Sequence, residues 1–171
     1  EVIIGRGDEP LLTSSLYMGC VSFSQKFFPG GRIDAQGMKQ AELAARREFE
    51  VITKPYRKMG WDVAYGSSGT AKALLAILTD GKLTTGGITR DGLDRLKTKL
   101  IRAGRVIPSD LPGIKVDRTD VLTGGLAIMS AFFDEMRVDT MTTGDGALRL
   151  GVLVDLAGRE EAHDRRDESV T

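Results

Sequence analysis

Between Asp34 and Pro55, the apolar residues Met38, Ala41, Ala45, Phe49 and Ile52 recur every three or four positions. That spacing puts them along one face of an α-helix, and such a helix folds only against a core. Asp34 suits the N-cap, because its carboxylate can accept an orphan backbone N–H. Pro55 is expected to kink or end the helix, since its ring removes a donor and crowds the carbonyl four residues back. Gly60 closes the region. Arg46, Arg47, Lys54, Arg57 and Lys58 read as one basic side of this helix, opposite Met38 and Phe49. A solvated face is the commoner meaning of such a stripe; a guide for a polyanion is the rarer one.

A second broad apolar stripe predicts a helix over 117–136, carried by Val121, Leu122, Leu126, Met129, Phe132, Phe133 and Met136. Strands are predicted where β-branched and aromatic residues cluster between turn residues. Val2-Ile3-Ile4-Gly5, the turn at 7–10 and a strand over 11–18 make a hairpin. Further strands are predicted over 61–65 and 138–141. A short helix over 20–28 stops at Pro29-Gly30-Gly31, and another helix covers 71–78. Thr89 is a good N-cap, with Ile88 and Leu93 placed as a hydrophobic staple. Leu93, Leu96 and Leu100 line that helix inwardly. A last helix is predicted over 147–156, after Thr143-Gly144-Asp145-Gly146. The order of elements is that of an α/β domain.

The 171 residues suffice for one domain with a core. Lys+Arg and Asp+Glu balance at 24 each, so any anion site must be local rather than a global basic field. Cys20 is the one cysteine, so no internal disulfide forms, which fits a reducing cytosol and a cytoplasmic protein. No apolar run approaches the roughly 20 residues of a transmembrane helix. Glu1 runs directly into Val2-Ile3-Ile4, which reads as a cut end.

The motif with most chemical content is Gly66-Ser67-Ser68-Gly69-Thr70, lying between a strand and a helix. Glycines let a ligand approach the backbone, the first amides of the helix carry partial positive charge, and the hydroxyls add donors. A phosphate contact at Ser67, Ser68, Gly69 and Thr70 is the functional reading; a plain strand–helix turn is the commoner one for so short a pattern. Gly124-Gly125, early in an apolar helix, weakens it by about 1 kcal/mol per glycine relative to alanine. The pair signals close approach, either to a ligand or loop or, more commonly, to a packed helix. His163 is the one histidine and lies in a charged tail, so neither a zinc site nor a Cys–His pair is expected.

Several segments resemble the exopolyphosphatase / guanosine pentaphosphate phosphohydrolase family. Glu1-Val2-Ile3-Ile4-Gly5-Arg6-Gly7 is similar to the end of that family's Asp-Ile-Gly-Gly-Gly-Ser-Thr-Glu motif and the strand after it. Ser15 to Phe23, with Met18-Gly19-Cys20-Val21, and Phe27 to Ile33 continue the likeness. Gly60 to Thr70 resembles the family's second glycine loop. Val121 to Ile128 and Asp145 to Leu153 match two later blocks, with Thr123 and Leu150 as small departures.

The resemblance implies a ribonuclease H-like domain of the actin and sugar-kinase type, a mixed sheet with flanking helices and its first strand absent. Residues 1–159 would form the second such domain, and 160–171 a charged tail leading to further C-terminal domains. It implies hydrolysis of a terminal phosphoanhydride with Mg2+, on inorganic polyphosphate or guanosine pentaphosphate. Glu1 would then be the catalytic and metal-positioning carboxylate, and Ser67, Ser68, Gly69 and Thr70 would hold phosphate. This chain alone is expected to be inactive, because the family's activating glutamate lies on the other domain. A homodimer is the expected assembly, with no nucleic acid as partner and no transmembrane segment. Two rivals are a phosphotransferase of the acetate- or sugar-kinase type, distinguished by ATP affinity, and a non-catalytic dimerisation module, distinguished by a concentration-dependent mass without anion affinity.

Overall fold

The computed structural model describes residues 1–7 and 9–144. The predicted helix over 147–156, the block from Asp145 to Leu153 and the tail with His163 lie outside the described residues, as does Asp8.

Strand β1 (Val2–Arg6) pairs antiparallel with β2 (Glu9–Ser14), Ile3 opposite Thr13 and Ile4 opposite Leu12. The register slips between Ile4 and Gly5, so Gly5 faces Pro10. Alternation sends Ile4 inward and leaves Ile3 exposed. The strand predicted over 11–18 ends sooner, because the chain turns sharply where the Met18 amide donates to the Leu16 carbonyl.

Helix α1 (Cys20–Phe27) is followed by a single 3-10 turn at Pro29–Gly31. Helix α2 (Ala35–Met59) begins at Asp34, whose Oδ1 accepts from the Gly37 amide at 2.8 Å. Its apolar stripe is buried as the spacing predicts. The helix does not end at Pro55; it runs on to Met59. Pro55 lies on the solvent side of α2, and so does Val51, whose carbonyl the missing donor would have satisfied. Water can solvate that carbonyl, and a helix tolerates curvature on its wet face. Tyr56 is buried and donates from its hydroxyl to the Val2 carbonyl at 2.8 Å, with Ser14 Oγ at 3.0 Å. One phenol thereby ties the hairpin to α2.

Strand β3 (Ala64–Gly66) leads into α3 (Gly69–Asp80), and β4 (Ile88–Thr89) into α4 (Arg90–Ala103). Thr89 caps α4, accepting from the Gly92 amide at 3.1 Å, as its position suggested. A 3-10 segment at Val116–Val121 precedes α5 (Leu122–Met136), and β5 (Thr140–Thr143) follows. Thus the helix expected from residue 117 is a tighter 3-10 coil for its first turns, with the Arg118 amide bonded to the Lys115 carbonyl.

The sheet order is β3-β5-β4, with β3 parallel and β4 antiparallel to β5, so the sheet is mixed as expected. Among the described residues the hairpin does not pair with it. Helix α5 packs against α1, α2, α3 and α4, which explains why its sequence is apolar almost all round. At its C-terminal end Asp134 receives both Arg46 of α2 and Arg90 of α4. Arg90 also donates to the carbonyls of Phe133 at 2.7 Å and Val138 at 2.9 Å. Arg46 and Arg57, read in the sequence as part of a free basic side, instead turn towards α5 through Asp134.

Candidate anion-binding site

Three helix N-termini meet at Gly125. A Cβ built there would lie 2.5 Å from Thr70 Cγ2, in the first turn of α3, and 3.5 Å from Cys20 Cβ, in the first turn of α1. Gly124 is equally confined; its Cβ would fall 2.5 Å from the Cys20 carbonyl oxygen and 2.6 Å from the Ser24 nitrogen. The glycine pair therefore serves tight packing of α5 on α1 and α3. A side chain at either position would push the first turns apart.

None of the first turns of α1, α3 and α5 holds an acidic residue. Carboxylates are favoured at such positions because the peptide dipoles leave about half a positive charge at each N-terminus. Here the ends of α1 and α3 converge with none to offset them, whereas the 3-10 coil that runs into α5 carries Asp117 and Asp120. Helix α3 goes further and places Lys72 in its opening turns, exposed to solvent. A cation there is unfavourable unless an anion is bound.

Gly66, the last residue of β3, is buried between Ala71 and Met141; a Cβ there would lie 2.5 Å from Ala71 Cβ. Ser67 and Ser68 follow, exposed. Ser68 Oγ accepts from the Ala71 amide at 3.1 Å and so caps α3, leaving its own proton free to donate. Gly69 is exposed, and Thr70 is half-buried against α5. Over Gly69 lies the guanidinium of Arg118, with both terminal nitrogens 3.0 Å from a built Cβ. Its nearest acidic neighbour, Asp117, stands 3.7 Å away and is itself well exposed. Among the described residues, Arg118 thus keeps donors free beside the α3 N-terminus.

The structure brings Ser67, Ser68, Gly69 and Thr70 together in one exposed loop. Glu1 is placed elsewhere, exposed in a shallow groove with Ile3, Thr13, Ser14 and Ser15. Among the described residues no hydrogen bond or ion pair links Glu1 to the loop or to Arg118. Nor do the described residues contain three or more His, Cys, Asp or Glu grouped as a metal site. Arg118 and Lys72 were not legible as site residues in the sequence; an arginine shortly before a glycine pair is a faint signal without the fold.

A mixed sheet flanked by helices, with a glycine loop opening a helix beside it, is the α/β arrangement that a ribonuclease H-like fold of the actin type would present. The chain belongs to the Ppx/GppA phosphatase family, whose model matches residues 1–160. It is 37% identical over 166 residues to a Haemophilus influenzae protein provisionally named an exopolyphosphatase, covering 97% of this chain and 51% of that one. It is 35% identical to a guanosine-5'-triphosphate,3'-diphosphate pyrophosphatase of Aeromonas hydrophila, covering 99% of this chain and 34% of that protein. The chain therefore spans between a third and a half of these curated relatives. The crystal structure of the Aquifex aeolicus member of the Ppx/GppA family superposes with a TM-score of 0.71 at 20% identity, over 92% of this chain and 52% of that one. Among the described residues no helix is long and apolar enough to cross a membrane.

Proposed function

We propose that this chain is part of a phosphoanhydride hydrolase that releases terminal phosphate from inorganic polyphosphate or from guanosine pentaphosphate. The observation that carries this reading is the acid-free N-terminus of α3, with Arg118 lying over Gly69 of the Ser67–Thr70 loop and the acid-free first turn of α1 packed nearby. Phosphate oxygens would accept from the first amides of α3, from the hydroxyls of Ser67, Ser68 and Thr70, and from Arg118. Phosphoryl transfer asks mainly for such positioning and charge complementarity rather than covalent help.

Glu1, beside the hydroxyls of Thr13, Ser14 and Ser15, offers one exposed carboxylate. That donor set fits Mg2+ arriving on a phosphate chain, since magnesium keeps water and is commonly held by one or two carboxylates plus phosphate. When bound, magnesium would supply neutralisation of phosphate charge. The described residues hold no second carboxylate at Glu1 to orient an attacking water. For that reason this reading has the chain binding polyphosphate without hydrolysing it by itself. It also includes a homodimer and a cytoplasmic location; the exposed Val63 and Tyr65 at the edge strand favour the former, and the free Cys20 is in keeping with the latter.

The test is titration calorimetry of the chain with tripolyphosphate, with and without Mg2+, alongside a phosphate-release assay. Saturable binding without phosphate release is the expected result. Absence of binding would overturn the anion site, and release at the rate of a complete enzyme would overturn the proposed inactivity. Sedimentation of the same sample tests the dimer.

A further inference from the structure

Helix α5 has no cap of its own. Its N-cap residue is Val121, which offers no side-chain acceptor. The 3-10 coil Val116–Val121 runs straight into α5, and at the change from 3-10 to α pairing a buried N–H needs a partner from elsewhere. One is satisfied from another helix: Ser24 Oγ, in α1, accepts from the Gly124 amide at 3.1 Å, one hundred residues away in the chain. Gly124 is the third residue of α5, where an N-cap oxygen ordinarily reaches. Ser24 is buried, at 7% exposure, so the bond is shielded from competing water.

The next residue is Gly125, against which Thr70 packs with no room for even a Cβ. Interiors this tight pass on small displacements, since neither side has a void to absorb them. We propose that Ser24 is a positioning residue for the Ser67–Thr70 loop: its hydroxyl fixes the first turn of α5, and that turn fixes Thr70. Ser24 itself touches no loop residue in the hydrogen-bond pattern, and its effect runs wholly through Gly124 and Gly125. The consequence for ligand affinity rests on the anion reading above; the positioning of Thr70 does not.

Two readouts separate these. The first is the amide shifts of Gly69 and Thr70 in proton–nitrogen correlation spectra of the free chain. The second is tripolyphosphate affinity by calorimetry. Ser24→Ala is expected to move both amides and to weaken binding by about tenfold, because displaced contacts lose much of their value. Ser22→Ala, which removes only an exposed hydroxyl bonded to the Gly19 carbonyl, is expected to leave both unchanged. A Ser24→Ala protein that melts earlier but keeps the loop amides and the affinity has lost only a structural bond, and the proposal falls. If the wild-type chain binds no tripolyphosphate, the anion reading fails, while moved amides in Ser24→Ala still uphold the positioning. Should Ser24→Ala not fold, Thr70→Ser reads the relay backwards. It deletes the methyl that meets Gly125, and an unmoved Gly124 amide in that variant overturns the proposal.

Discussion

The guanidinium of Arg118 rests on the backbone of Gly69, with both terminal nitrogens 3.0 Å from where a Cβ would stand. The contact is to the far end of a flexible side chain, so a methyl at 69 displaces the arginine rather than the helix. Gly69 has no left-handed φ, and alanine suits a helix better by up to about 1 kcal/mol. Gly69→Ala is therefore expected to keep or slightly raise the urea midpoint while lowering tripolyphosphate affinity. Arg118→Ala should lower that affinity by roughly tenfold, the worth of a charge-assisted hydrogen bond. Equal affinities in all three proteins would remove Arg118 from the site.

Gly66 has no comparable freedom. Its Cβ would collide with Ala71 Cβ at 2.5 Å, and Ala71 cannot swing away because its Cβ is fixed to the α3 backbone. Met141 Sδ, at 2.8 Å, closes the other side. Gly66→Ala should cost about 1–3 kcal/mol in denaturant unfolding, by overpacking the junction of β3, α3 and β5. An unchanged midpoint would mean that the junction is looser than described.

Lys97 of α4 donates to Glu42 of α2 at 2.8 Å and to Asp94 at 2.9 Å. Burial works to lower its pKa, but the hydrogen bonds from the ammonium to Asp94 and Glu42 outweigh it, and the net shift is upward. The folded state thus holds this proton more tightly than the unfolded chain does. Its stabilisation is complete below the ordinary lysine value of 10.5 and is lost as pH climbs through the raised folded-state value. Lys97→Met should be less stable than wild type at neutral pH, with the gap narrowing above that range. Urea midpoints of both proteins between neutral and strongly alkaline pH decide it; a constant gap would contradict the sign.

Arg137 caps the C-terminus of α5 with φ 56° and ψ 41°, a left-handed conformation that costs a residue with a Cβ. Its side chain is exposed. Arg137→Gly should raise stability by roughly 0.5–1 kcal/mol, as glycine adopts this position freely. Thermal unfolding checks it, and a drop in midpoint would show that the arginine side chain has a role of its own.

The parts of the fold legible in the sequence are those with long periodic patterns. The stripe from Met38 to Ile52 is buried residue by residue, and Asp34 and Thr89 cap the helices they precede. What escaped is what short windows cannot encode. Strand β4 is two residues long and exists because Ile88 finds Met141 across the sheet. Pro55 does not end α2, because whether a proline stops a helix depends on which face the freed carbonyl points to, a tertiary property. The loop Ser67–Thr70 was legible from its glycines and hydroxyls. Arg118 was not, since its place over Gly69 is set by the packing of α5 on α3 and not by any local pattern. The meaning of Gly124-Gly125 was open in the sequence, and the contacts with Cys20, Ser24 and Thr70 decide it as packing.

Helix α5, at 15 residues and about 1.5 Å per residue, is roughly 22 Å long. Its first turn is wedged between Ser24 and Thr70, and its last is clamped by Arg46 and Arg90 at Asp134. A rod fastened at both ends cannot slide along its own axis without breaking one of the fastenings. The spacing between the glycine loop and the start of α4 is accordingly set by the length of α5, which is its measuring bar.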